Sequence, residues 1–95
     1  MKLHLGCGPV HLDGWINIDQ DNEVADRKLD LRQSLPYETA SASMIFCEHF
    51  IEHVTRDEAR ELLRECRRVL VPDGVLRLST PDLRWLVIKY QTGEV

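Results

Sequence analysis

Three groups of residues in this 95-residue chain have types and spacings that could do chemistry. The first is Gly6-Cys7-Gly8, which follows the alternating run Lys2-Leu3-His4-Leu5. Glycines at the end of a strand let a ligand come close to the backbone, because no side chain blocks the approach. In open α/β sheets, ligands bind just outside the carboxyl ends of the strands. The second group is a pair of aspartates: Asp19 closes the run Ile16-Asn17-Ile18, and Asp30 follows after the next connection. A carboxylate at a strand end can accept from both hydroxyls of a ribose. A second one nearby can meet a base edge or cap a turn. The third group is His49, Glu52 and His53 in an H-x-x-E-H pattern. On a helix this spacing puts two imidazoles on one face beside a carboxylate, as zinc hydrolysis requires.

Several chemistries fall away on spacing. In a dinucleotide fingerprint G-x-G-x-x-G starting at Gly6, the third glycine position holds His11. Asp19 also comes too early for the spacing of roughly 20 residues that this fingerprint needs. A phosphate loop is excluded because no Gly-Lys-Ser/Thr occurs. A zinc peptidase needs a third, distant protein ligand, and Glu58, Glu61 and Glu65 stand too close to His53 to supply it easily. It is kept only as a remote alternative, with His49 and His53 read as lining a pocket or capping a turn. The formal net charge of −4 argues against nucleic acid as a partner. With no apolar run of membrane-spanning length and no secretory signal, the expectation is a cytoplasmic protein without a membrane partner. Cys7, Cys47 and Cys66 are odd in number and lie in apolar surroundings, so they read as reduced, buried thiols.

The elements that must position these groups follow from periodicity. Leu3 and Leu5 mark a first strand, and Ile16 to Asp19 a second. The segment from Gln20 to Lys28 reads as loop, and Leu29 to Leu31 as a third short strand. Met44 to Cys47 is a continuous apolar run, expected of a strand covered on both faces. Thr55 and Glu58 form a capping box that opens a helix. Its apolar stripe is Ala59, Leu62, Leu63, Cys66, Val69 and Leu70, and its charged residues read as a solvated face. Pro72 stops the helix, Pro72-Asp73-Gly74 makes a turn, and Val75 to Ser79 form a strand. Thr80-Pro81 predicts a last helix with an apolar stripe at Leu83, Leu86, Val87 and Tyr90. Strands alternating with helices point to an α/β layered sheet of mainly parallel strands in a single domain.

Taken in order, "LHLGCG", "GWINID", "LDL", "MIFCEHFIEHV" and "LLRECRRVLVPDGVLRLSTPD" resemble the Rossmann-like S-adenosylmethionine-dependent methyltransferases. The likeness runs from Lys2 to about Asp82. It implies S-adenosylmethionine as cofactor and methyl transfer to a small-molecule or protein acceptor. It also implies site roles. Gly6, Cys7 and Gly8 would hold the methionine part of the cofactor. Asp19 would take the ribose, and Asp30 with Leu31 the adenine side. Cys47, Glu48 and His49 would border the sulfonium and the substrate mouth. No catalytic base is assigned, because displacement from a sulfonium depends on alignment more than on proton transfer; His49 and His53, near the expected substrate mouth, are the candidates.

Three departures stand out. Residues 9 to 15 leave no room for the usual helix between the first two strands. The usual Pro-Gly-Gly turn reads Pro72-Asp73-Gly74. The sheet stops after five strands where the family has seven, so the domain is expected to be shortened or incomplete. Trp85 and Ile88 lie off the stripe of the last helix, and Arg77 suggests a sheet edge. Both favour homo-oligomerisation through the C-terminal helix and edge strand. A rival reading from another class is a non-catalytic, cofactor-binding or assembly remnant of the same fold.

Overall fold

The structure is a computed structural model describing residues 1–48, 54–80 and 83–89, the last seven together with Glu48 and Thr80 by their backbone alone. Its elements are β1 (Lys2–Leu5), β2 (Ile16–Asp19), β3 (Arg27–Lys28), β4 (Ala42–Glu48), α1 (Arg56–Val69), β5 (Leu70–Thr80) and β6 (Leu83–Lys89). The strands form one sheet in the order β3-β2-β1-β4-β5-β6. The first five are parallel, and β6 runs antiparallel to β5. This is a shortened Rossmann-like α/β sheet.

Register divides the side chains between two faces. Ile16, Leu3, Ile45 and Leu76 form one row across the sheet, and Ile18, Leu5, Cys47 and Leu78 form the next. Both rows lie on the face that packs against Leu62, Cys66 and Val69 of α1 and against Leu31 and Leu35 of the β3–β4 connector. Each fully buried Leu or Val contributes about 1.5–3 kcal/mol, so this face is the source of cohesion. The opposite face carries Asn17, His4, Phe46 and Arg77 in register. There His4 stacks on Phe46 at 5.1 Å, and Trp15 meets the same ring edge-on at 6.5 Å. Met44 and Phe46 are only half-buried, so β4 is not covered evenly on both faces as its sequence suggested.

The helix begins where expected. Thr55 Oγ1 accepts from Glu58 N–H at 3.1 Å, and Glu58 Oε1 accepts from Thr55 N–H at 2.9 Å. It ends at Val69, and Leu70 passes directly into β5. The expected Pro72-Asp73-Gly74 turn is an excursion within that strand. Between the pairs Ala42–Leu70 and Met44–Val75, β4 advances two residues while β5 advances five. Asp73 takes a φ of 68° there. Gly74 has no room for a side chain, because a Cβ would lie 2.8 Å from Val71 O.

Four expectations are corrected. The C-terminal helix with its stripe at Leu83, Leu86 and Val87 is strand β6, paired along β5; Tyr90 lies outside the described residues. A short apolar run fits either periodicity, and here β5 offers it a ladder edge. Arg77 consequently marks no sheet edge: β5 lies between β4 and β6, and the guanidinium sits 5.8 Å over the Phe46 ring. The third strand is the two residues Arg27–Lys28, which end immediately before Leu29, while Leu31 enters the core from the connector. The charged residues of α1 are not all solvated. The Arg68 guanidinium grips both Glu65 oxygens, at 2.8 and 3.0 Å, and donates to the carbonyls of Leu35 and Tyr37. Glu65 Oε1 also accepts from Leu35 N–H at 2.8 Å. Together they fasten the connector to the helix.

Candidate functional site

From β1 the chain builds outwards to β2 and β3, then returns to the other side of β1 for β4 and β5. The reversal falls between β1 and β4, where open α/β sheets bind ligands at the carboxyl ends of their strands. Parallel pairing puts four such ends on one edge. In order across the sheet these are Asp30 after β3, Asp19 at the end of β2, Gly6–Gly8 after β1, and Cys47–Glu48 at the end of β4. His49 belongs to the same stretch but lies outside the described residues, as do Glu52 and His53. Among the described residues, no three His, Cys, Asp or Glu side chains gather as metal ligands would.

The glycine loop continues the sheet before leaving it. Cys7 N–H donates to Ile18 O at 3.0 Å, and the residue is buried at 3% exposure with its Sγ 3.4 Å from Gly8 O. Burial pushes the Cys7 thiol up, with the Asp19 charge adding to the effect, which favours the protonated thiol. Cys47 and Cys66 are likewise buried, and burial raises the Cys66 pKa strongly. None of the three forms a disulfide. Gly6 and Gly8 take φ values of 65° and 55°, a region where a side chain is strained. At Gly8 a Cβ would meet no atom within 4 Å. That side of the loop is open.

Asp19 faces this opening. Its Oδ2 accepts from Gly8 N–H at 3.0 Å, and its Oδ1 from Asp21 and Asn22 N–H at 3.1 and 3.2 Å. Burial pushes its pKa up, but the backbone N–H groups of Asp21, Gly8, Asn22 and Gln20 more than offset this and hold the carboxylate below its ordinary value. Asp30 is held below its ordinary value by Arg32, whose guanidinium donates at 3.0 and 2.9 Å and whose N–H donates at 2.9 Å. Both carboxylates therefore stay ionised, and both already have partners. Leu31 is 3% exposed and packs into the core.

Sequence reasoning passed over the residues that hold this edge together. Asn17 and His4 sit at polar positions of their strands, yet each is fully buried. Asn17 Oδ1 accepts from Leu12 N–H at 2.9 Å, and its Nδ2 donates to Leu12 O, Trp15 O and Asp26 Oδ2. This orientation makes Oδ1 an acceptor, so His4 Nδ1, 2.9 Å away, carries a proton and donates it. Asp26 Oδ2 also accepts from Asn17 N–H at 2.8 Å, and its Oδ1 lies 3.1 Å from His11 Nε2. The Asn17 backbone N–H and side chain, then His11, bring the Asp26 pKa down to about 2. An asparagine between two isoleucines in a strand was the only available signal.

A cavity of about 470 Å³ opens elsewhere, lined by Arg32, Gln33, Ser34, Glu61 and Glu65. It contains none of the expected site residues. Three of its charged groups are committed to structural pairs: Arg32 with Asp30, Glu61 with Arg64 and Glu65 with Arg68. The strand-end edge, where topology and open backbone coincide, is the stronger candidate.

The family model described as "Methyltransferase domain" matches residues 15–78, more than half of the chain. The matched stretch runs from Trp15, just ahead of β2, to Leu78 in β5. It takes in Asp19, Asp30 and the end of β4, but not the glycine loop. A comparison with curated proteins finds no match.

Proposed function

We propose that this chain, which belongs to the methyltransferase-domain family, transfers the methyl group of S-adenosylmethionine to a small-molecule or protein acceptor. The observation that carries the reading is the order of groups along the sheet edge: Asp30, Asp19, Gly6–Gly8, Cys47–Glu48. An extended nucleoside–amino acid has its parts in that sequence, with the base at β3, the ribose at β2, the amino-acid part at β1 and the reacting sulfur facing β4. A second observation favours this cofactor over a dinucleotide. No helix follows the glycine loop, so no helix N-terminus is available for a pyrophosphate. S-adenosylmethionine has no phosphate to bind.

When bound, the cofactor supplies an electrophilic methyl group on a positive sulfonium, open to direct displacement. The chain's own residues hold and orient it. The open side of Gly8 admits the amino-acid part against the backbone. Asp19 accepts a ribose hydroxyl through the second acceptor site of Oδ2, beside the Gly8 N–H that it already holds. Asp30 and the Leu31 backbone border the base, and Cys47 and Glu48 with His49 border the acceptor. Where the acceptor is an O–H or N–H group, its proton leaves to solvent or a neighbouring base, and the sulfide departs with the electron pair of the broken S–C bond.

Calorimetric titration with S-adenosylmethionine and S-adenosylhomocysteine tests the reading. Micromolar binding, with a displaced Gly8 amide resonance and an affinity lowered by Asp19→Ala, is the expected result. A folded chain that binds neither compound overturns it. Binding without transfer to any acceptor in a screen marks a non-catalytic cofactor-binding chain.

Self-association belongs to the same proposal. β6 ends the strand order among the described strands and reads Leu-Arg-Trp-Leu-Val-Ile-Lys, and an edge strand offers its outer backbone groups to a second copy. Light scattering showing only monomer at high concentration removes that part.

A further inference from the structure

We infer that Asn17 is a positioning residue for the glycine loop, doing with one buried amide what a crossover helix does in a longer chain; the inference rests on the cofactor reading above. A parallel connection takes a dozen or more residues and is usually helical. Here residues 6–15 make the step from β1 to β2 with no helix. Such a segment has no ladder of its own, so its backbone groups need other partners.

Two turn bonds inside the segment, from Val10 N–H to Cys7 O at 3.1 Å and from Trp15 N–H to Leu12 O at 3.3 Å, supply some of them, and Asn17 ties the segment to the sheet. Its side chain engages both peptide groups of Leu12, accepting from N–H at 2.9 Å and donating to O at 3.0 Å, as a neighbouring strand would. The same Nδ2 reaches Trp15 O at 3.2 Å and Asp26 Oδ2 at 2.9 Å. On its other side Oδ1 meets His4 of β1. Asp26 completes the clamp by bonding the Asn17 N–H with Oδ2 and His11, inside the crossing segment, with Oδ1. One end of the segment is therefore fastened at Leu12 and Trp15. The other is fastened where Asp19 Oδ2 accepts from Gly8 N–H. Between these points the open face of Gly8 is held at a fixed distance from Asp19.

The arrangement needs an acceptor and two donors on one short side chain, which only asparagine supplies at this length. A carboxylate at the same place would lose the donors and face Asp26 as a like charge. Asp26 needs only its acceptor oxygen towards Asn17, so asparagine can replace it there, with its amide turned to His11.

The test combines amide hydrogen exchange of residues 9–15 with titration by S-adenosylhomocysteine, on the full chain and on Asn17→Ala, Asp26→Ala and Asp26→Asn. Asn17→Ala is expected to speed exchange at Leu12 and to weaken binding, each by at least about tenfold, the size of one lost buried hydrogen bond. The amides of α1 should keep their protection. If Asn17→Ala does not fold, Asp26→Ala decides: it should loosen the same segment and weaken binding, and Asp26→Asn should restore both. Three outcomes overturn the inference: exchange that rises equally in α1 and in the segment, affinity unchanged when the segment loosens, or no restoration by Asp26→Asn. A wild-type chain that binds nothing overturns the cofactor reading instead, and exchange alone then decides whether Asn17 holds the loop.

Discussion

Between β4 and β5 the chain passes through α1, a helix of 14 residues whose buried side chains lie on the sheet. Between β1 and β2 it makes the same lateral step with residues 6–15 and no helix. The first crossover is held by apolar burial, through Leu62, Cys66 and Val69. The second is held by polar bonds to one asparagine, Asn17, and two aspartates, Asp19 and Asp26. Burial is non-directional and tolerates small shifts, whereas hydrogen bonds fix positions to a few tenths of an ångström and fail when one partner leaves. The helical crossover therefore supplies stability. The short one supplies geometry, and it stands beside the loop where geometry matters.

This contrast can be broken at several points. Leu62→Ala should cost about 2–5 kcal/mol, measured by urea unfolding, because it opens a cavity in the face that α1 buries in the core. A loss below about 1 kcal/mol would mean that the Arg68–Glu65 clamp carries the helix instead. Gly74→Ala should cost about 1–3 kcal/mol in the same assay, since the Cβ meets a backbone oxygen that cannot easily yield. Thr55→Ala removes one half of the capping box and should cost about 1 kcal/mol, with α1 fraying from its first turn in hydrogen exchange.

The smallest expected effect lies in the short crossover and depends on pH. Asp26 has its pKa lowered from 3.8 to about 2 by Asn17 and His11. A carboxylate with a depressed folded-state pKa stabilises above its unfolded value and loses that contribution as pH falls through the folded one. Stability from Asp26 should therefore be complete above about pH 4 and fade between about 4 and 2. Asp26→Asn should flatten that part of the acid-unfolding curve and lower stability at neutral pH, because a neutral amide forgoes the charge-dependent part of those bonds. An unaltered curve would show that Asp26 makes the same bonds in the unfolded chain.

Several parts of the fold were legible because local rules decide them. The capping box fixes where α1 begins, Leu3 and Leu5 place β1, and Ile16 to Asp19 place β2 as the structure has it. The short β1–β2 crossover could be read from spacing alone, and so could the buried cysteines. The line of strand ends bearing Asp30, Asp19 and Gly6–Gly8 follows once the strands are known to be parallel.

What the sequence by itself determined is the set of elements with strong local signals, together with a methyltransferase-like series of motifs. Tertiary structure alone decided the rest, for one physical reason: these outcomes depend on partners distant in sequence. Leu83 to Lys89 is a strand because β5 presents a free ladder, not because its pattern differs from a helix. Glu65 and Arg68 look like solvent-facing helix charges until the connector from Leu35 to Thr39 is laid beside them. Asn17 looks like the polar side of a strand until Leu12, Trp15 and Asp26 close over it. A buried polar group must be paired, and only the fold brings its partners within reach.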